Sequence, residues 1–381
     1  MTRSPFVDNA RADERLRVAL VTTELGVGGA ERCAMQLALG LQARGHQVTV
    51  HSLAPPPLPP RDSLVLALQT AGVPVQFLHA TRPWHAGAVI RQLGTALNSE
   101  RPQVVQTFLY HANVLGSIAA RRAGVGQIVT GLRVVDRRWL RVAVERWSSR
   151  RVQRVVSVSS SVDNFAATAL QVPASKRLVI PNGIDLNRFR NIEPADLSAH
   201  AVPTGAPTLV AIGRLHEQKG FDWLIAQMPA ILRHLPDHHL AIVGAGPRRA
   251  ALEAQIQDLG LTGRVHLVGW QANVPSILRA SVGLLSTSRW EGMPNVVLEA
   301  MAAGLPILAT RVEGVLELLG DEAERQSIDW GDSAGFQAKL LNWASSHRVA
   351  QELGFANEQR ARTEFSIATM IARYEALYRA L

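Results

Sequence analysis

Short runs of β-branched and aliphatic residues alternate with longer stretches in which apolar residues recur every three or four positions, from Val18 to the end of the chain. That alternation predicts parallel strands joined by crossover helices. In the first half the runs fall at residues 18–23, 47–53, 74–79, 103–109, 127–133, 152–158 and 178–180. A second series follows at 209–214, 240–243, 265–268, 282–286 and 307–310. Between the two series, Pro181-Asn-Gly-Ile-Asp185 and the polar residues up to Pro207 carry turn chemistry and read as a linker. The expected fold class is therefore α/β, with two Rossmann-like doubly wound domains, 1–185 and 186–364, facing an interdomain cleft. A last helical pattern, Phe365, Met370, Ile371, Tyr374, Leu377, Tyr378 and Leu381, follows the second sheet and must cap one domain or the other. Pro55-Pro-Pro-Leu-Pro-Pro60, after a strand and before a helix, reads as a stiff loop.

Composition narrows the class. The chain has 381 residues, 47% hydrophobic and 19% charged, which is ample for packed cores and unlike a disordered chain. Met1 to Leu16 lack an apolar leader core, and no later stretch reaches about 18 apolar residues, so a cytoplasmic protein without membrane spans is expected. The single cysteine, Cys33, sits in an apolar helical pattern and reads as core filler. The net charge of +9 is lopsided: residues 1–185 hold 22 Lys and Arg against 11 Asp and Glu, while the remainder holds 18 against 20. A basic first half implies an anionic partner, whether a membrane surface, a phosphorylated lipid or nucleic acid. Aromatics at 5% and the lack of a nucleic-acid-binding motif argue against the last. Between Arg133 and Arg154, eight arginines face only Asp136 and Glu145 and interleave with Trp139, Leu140, Val142 and Trp147, a pattern compatible with a membrane-facing helix and with plain solvated charge.

Candidate chemistry gathers where strands hand over to helices. Gly26-Val-Gly-Gly-Ala-Glu31 follows the first strand and opens a helix, so its amides suit an anion. Glu31 stands where a dinucleotide fingerprint needs glycine, and no acidic residue ends the next strand, which disfavours NAD. Gly213-Arg-Leu-His-Glu-Gln-Lys-Gly220 puts Arg214 and Lys219 at the carboxyl edge of the second sheet, two cations suited to a diphosphate. In Trp290-Glu-Gly-Met-Pro-Asn-Val-Val-Leu-Glu-Ala-Met301, Pro294 is expected at the first helical position. Glu291 lies before that helix and Glu299 in its second turn, where a carboxylate can accept two hydrogen bonds from a vicinal diol. His234, His238 and His239 lack a fourth ligand and are not expected to bind metal.

Together with Ile180-Pro-Asn-Gly-Ile-Asp185 and Gly244-Ala-Gly-Pro247, these motifs make the whole chain resemble the family 4 retaining glycosyltransferases of GT-B fold. The resemblance implies that Arg214 and Lys219 hold a donor diphosphate, that Glu299 binds the ribose and that Glu291 contacts the transferred sugar. It adds main-chain contacts from Gly28 and Gly29 and from Gly292, Met293, Pro294, Asn295 and Val296, the nucleobase beside Val268 and Gly269, and a last helix, 365–381, that crosses back to the first domain. Family members often carry a histidine at the end of the fourth strand; here Phe108 stands there and His111 follows three residues later, so His111 is the candidate polar contact of the first domain. The implied reaction moves a hexose from a nucleotide sugar, UDP ahead of GDP, to a glycan or polyprenyl-linked acceptor in surface polysaccharide or glycolipid synthesis, with no cofactor or metal. The rival readings are a nucleotide-sugar epimerase of the same fold and a non-catalytic nucleotide-sugar-binding protein.

Overall fold

The structure is a computed structural model that describes residues 15–381, so the reading of the extreme N-terminus lies almost wholly outside the described residues. It divides into two units, one running to Gly183 and taking in Ile367–Leu381, the other Ile184–Ser366.

The first unit holds seven strands: β1 (Arg17–Thr22), β2 (Gln47–Ser52), β3 (Val75–Phe77), β4 (Val104–Phe108), β5 (Gln127–Leu132), β6 (Arg154–Ser157) and β7 (Arg177–Val179). They pair in parallel in the order β3-β2-β1-β4-β5-β6-β7. Helices cover both faces, so β1 and β4 are buried almost throughout and read as continuous apolar runs instead of alternating ones. The helix Ile367–Arg379 packs Met370, Ile371, Tyr374, Leu377 and Tyr378 into this core beside Cys33, Leu37 and Leu41 of the helix Gly29–Ala43. Each such side chain contributes on the order of 1.5–3 kcal/mol. The two helices approach closely at Gly40, where a Cβ would stand 2.0 Å from Ile371 Cδ1.

In the second unit, β8 (Thr208–Ile212), β9 (His239–Val243), β10 (Val265–Gly269), β11 (Gly283–Ser286), β12 (Ile307–Thr310) and β13 (Ser327–Ile328) form a parallel sheet in the order β10-β9-β8-β11-β12-β13. β13 was not anticipated. Two residues carry no periodicity, and only pairing with Ala309 and Thr310 makes them a strand. Among the described residues no helix is long and apolar enough to cross a membrane.

Candidate active site

In the second unit the loops at the carboxyl ends of the strands are fastened backbone to backbone. After β8, Gly213 N–H donates to Val243 O (2.9 Å) and Leu215 N–H to Ala245 O (3.0 Å), while Arg248 N–H donates back to Leu215 O (3.1 Å). Glycine makes this possible: at Gly244, with φ +150°, a Cβ would stand 1.8 Å from Gly213 O, and at Gly246 2.4 Å from Leu215 O. Leu215 is thereby buried and Arg214 left exposed, with no side-chain partner among the described residues. The stem of Lys219 fills the space beside Gly213, where a Cβ would stand 2.9 Å from Lys219 Cε. Its Nζ reaches Glu291 Oε1 at 2.5 Å.

The loop after β11 is held by the same turn. Arg289 N–H donates to Gln218 O (2.7 Å), Gln218 Nε2 to Trp290 O (2.9 Å), and Thr287 Oγ1 to Lys219 O (3.1 Å). Arg289 pairs with Asp222 at 2.8 Å and lies over the Trp330 ring. Glu291, 8% exposed, accepts from Ser288 Oγ (2.8 Å) besides Lys219. Its own N–H donates to Glu313 Oε2 (3.2 Å). The helix that follows is Asn295–Ala302, with Pro294 as its N-cap, one position earlier than expected. Gly292, Met293 and Pro294 are buried, Asn295 and Val296 half-buried, and Glu299, in the second turn, is buried and not solvent-facing. Val268 is buried at the end of β10, and Gly269, at φ +83°, accepts Gly244 N–H (2.8 Å) after a slip in register.

Arg214, Lys219, Glu291 and the N-terminus of the helix carrying Glu299 thus stand on neighbouring loops at one sheet edge, an arrangement that can neutralise an anion and bind hydroxyl groups together. The sequence motifs did not single out Gln218, Ser288, Glu313 and Gly314. Gly314, at φ +79°, lets the loop after β12 press on the Glu291 loop: a Cβ there would meet Gly292 O at 2.7 Å and Met293 Cα at 2.8 Å. A glycine in the loop that follows a strand's carboxyl end, Gly314 after Thr310, was the one available signal.

In the first unit Gly28 is the N-cap of the helix Gly29–Ala43, in extended backbone, and the Glu31 carboxylate occupies the place a Gly28 Cβ would take. β4 ends at the fully buried Phe108, and Leu109, at φ +73°, turns the chain into the helix Tyr110–Arg122. His111 is exposed there, its ring edge-on to Tyr110 at 5.2 Å. Desolvation of the ring and the charge of Arg141 hold its pKa below the ordinary 6.5.

The stretch between Arg133 and Arg154 requires a correction. Only Trp139–Ser149 is helical, and Arg133 is a core residue: Nη1 donates to Asn182 Oδ1 (2.6 Å), Nη2 to the Tyr374 hydroxyl (2.9 Å), and the guanidinium lies 5.0 Å from the Phe108 ring centre. Glu145 is buried as well, accepting from Asn113 Nδ2 at 3.3 Å, and desolvation pushes its carboxyl up to about 7. The outer side of the helix leaves Trp139 75% and Leu140 58% exposed, with Val144 and Trp147 also open to solvent. Elsewhere, His239 Nδ1 lies 3.0 Å from His266 Nε2 in a buried pair, and among the described residues no group of three or more His, Cys, Asp or Glu is arranged to hold a metal ion.

Two all-parallel doubly wound units with this loop chemistry define a GT-B fold. Residues 27–188 match the family described as Glycosyltransferase Family 4, and residues 206–346 that described as glycosyl transferases group 1. The chain belongs to this glycosyltransferase family and is an enzyme of that class. A UDP-Gal:alpha-D-GlcNAc-diphosphoundecaprenol alpha-1,3-galactosyltransferase of Escherichia coli is 30% identical over 259 residues, 64% of this chain and 67% of that protein. The lipopolysaccharide core biosynthesis glycosyltransferase LpsE of Rhizobium meliloti is 35% identical over 188 residues, 49% of this chain but only 53% of that protein. Among solved structures, Anabaena Alr3699/HepE in complex with UDP and glucose superposes with a TM-score of 0.84 at 20% identity, covering 96% of this chain and all of the other, a likeness of fold.

Proposed function

We propose that the protein is a retaining glycosyltransferase that moves a hexose from a nucleoside diphosphate, UDP ahead of GDP, to a lipid-linked glycan acceptor in surface polysaccharide or glycolipid synthesis. The observation that carries this reading is the Lys219–Glu291 ion pair at the same sheet edge as Arg214 and the N-terminus of the helix Asn295–Ala302. Arg214, Lys219 and the amides from Gly292 onward take the diphosphate and stabilise the charge that grows on it as the bond to the sugar breaks. Glu291 meets the transferred sugar, Glu299 the ribose, and Val268 with Gly269 the base. Gly28, Gly29 and His111 serve the sugar and acceptor from the first unit, and the acceptor hydroxyl attacks from the face the diphosphate leaves. The activity of the E. coli relative, with UDP-Gal as donor and alpha-D-GlcNAc-diphosphoundecaprenol as acceptor, supports donor and acceptor class. Work at the cytoplasmic face of a membrane fits the exposed apolar and aromatic outer side of the helix Trp139–Ser149.

Calorimetry with UDP, GDP and their sugars tests the donor reading. Arg214→Ala and Lys219→Ala should each weaken nucleoside-diphosphate binding by about tenfold or more, the value of a charge-assisted bond. Unchanged affinity in a folded variant removes the assignment. Product anomeric configuration by NMR decides retention. Equal recovery on anionic and neutral vesicles removes the membrane surface.

A further inference from the structure

The carboxylates of this edge are not alike. Glu291 is neutralised by Lys219, and its remaining bonds come from Ser288 and Gln218. Glu313, half-buried after β12, has no cationic partner among the described residues, and its one hydrogen bond is the N–H of Glu291 at 3.2 Å. Its loop is held in place: Thr310 Oγ1 donates to Ser288 O (2.5 Å), Val312 N–H to Thr310 O (2.8 Å), and Gly314 presses on Gly292 and Met293. Glu313 Oε1 therefore stays uncommitted on a backbone that cannot easily swing away.

An unpaired carboxylate beside a diphosphate site opposes the diphosphate, whereas beside hydroxyl groups it is a strong acceptor. We infer that Glu313 is a specificity-determining residue that reads a hydroxyl of the transferred sugar with Oε1 while Oε2 holds the Glu291 loop. The inference rests on the donor reading above. It makes Glu313 blind to the bare nucleotide and sensitive to the sugar, because a site built to bind a hydroxyl discriminates against its absence or inversion.

The full chain, Glu313→Gln and Glu313→Ala are titrated calorimetrically with UDP, UDP-glucose, UDP-galactose, UDP-N-acetylglucosamine and GDP-mannose, with melting temperatures recorded alongside. Both variants should bind UDP within about twofold of the parent or more tightly. The ratio of sugar-nucleotide to UDP affinity, taken for the parent's best sugar nucleotide, should fall about tenfold, and preference among the sugars should narrow. An unchanged ratio in both variants overturns the inference. Equal losses for UDP and sugar nucleotides also overturn it, leaving Glu313 a support for the loop. A parent chain that binds no nucleotide brings down the donor reading and this inference with it, an outcome distinct from either.

Discussion

The carboxyl edges of the two sheets come from the same strand order and were built by different means. In the second unit the loops meet main chain to main chain, Gly244 against Gly213, Gly246 against Leu215 and Gly314 against Gly292, and Lys219 pairs with Glu291 and Arg289 with Asp222 between them. In the first unit main-chain bonds also run along the edge, as from Leu53 N–H to Thr22 O (3.0 Å), but no described glycine is pressed as closely on a neighbouring main chain, and side chains add the tying contacts: Arg133 reaches Asn182, Tyr374 and the Phe108 ring, and Asn113 links Thr107, Gly131 and Glu145. Main-chain contact at glycine leaves no room for any other residue, whereas side-chain contacts can be exchanged for others of similar volume. A preformed edge suits a ligand that stays the same across reactions, and an edge made of side chains suits one that changes.

The sharpest way to break this contrast is to add one methyl group to each edge. Gly244→Ala forces a Cβ to 1.8 Å from a carbonyl oxygen at φ +150° and should destabilise by about 3 kcal/mol or more, with loss of UDP binding. Gly28→Ala meets only the Glu31 carboxylate, at 2.2 Å, on ordinary extended backbone, and should cost about 1 kcal/mol or less. Urea denaturation measures both, and comparable losses would erase the distinction.

A smaller effect separates packing from chemistry within the first unit. His111 is exposed, so His111→Ala should lower turnover about ten- to a hundredfold at an unchanged melting temperature and nearly unchanged UDP affinity, with His111→Asn in between. Phe108→Leu, at a fully buried position under Arg133, should cost about 1 kcal/mol of stability and leave turnover near normal. Retained turnover in His111→Ala, or a loss that tracks a falling melting temperature, makes His111 structural.

A pH-dependent effect gives the two units opposite responses. Burial pushes the Glu145 carboxyl up to about 7 from 4.5, against the pull of Asn113 and Arg141 and helped by Asp136. The native state keeps a proton that the unfolded chain releases, so the first unit loses stability as pH rises between those values, by about 1–3 kcal/mol. In the second unit burial holds His239 and His266 below 6.5. The native pair is neutral while the unfolded histidines take up protons, so stability falls as pH drops below about 6.5. Thermal unfolding at pH 5 and pH 8 should show Glu145→Gln gaining on the parent only at pH 8, and His266→Gln gaining only at pH 5. The reverse pattern would contradict both assignments.

Sequence alone determined the alternation of strands and helices, the duplicated α/β architecture, the family, and the loops to which the chemistry is proposed to belong. Each is a local property: periodicity, turn residues and charged residues at fixed offsets from a strand end suffice. Tertiary structure decided what no local pattern encodes. Arg133 and Glu145 look like part of a basic surface run, yet they are buried because their side chains point between β5, the helix Tyr110–Arg122 and the C-terminal helix. β13 exists only through its partner strand. Glu313 lies 22 residues from Glu291 and becomes its neighbour because parallel β11 and β12 deliver both loops to the same sheet edge. Burial and pairing depend on what the chain brings back from far away, and a hydrogen bond between two loops leaves no mark on the composition of either.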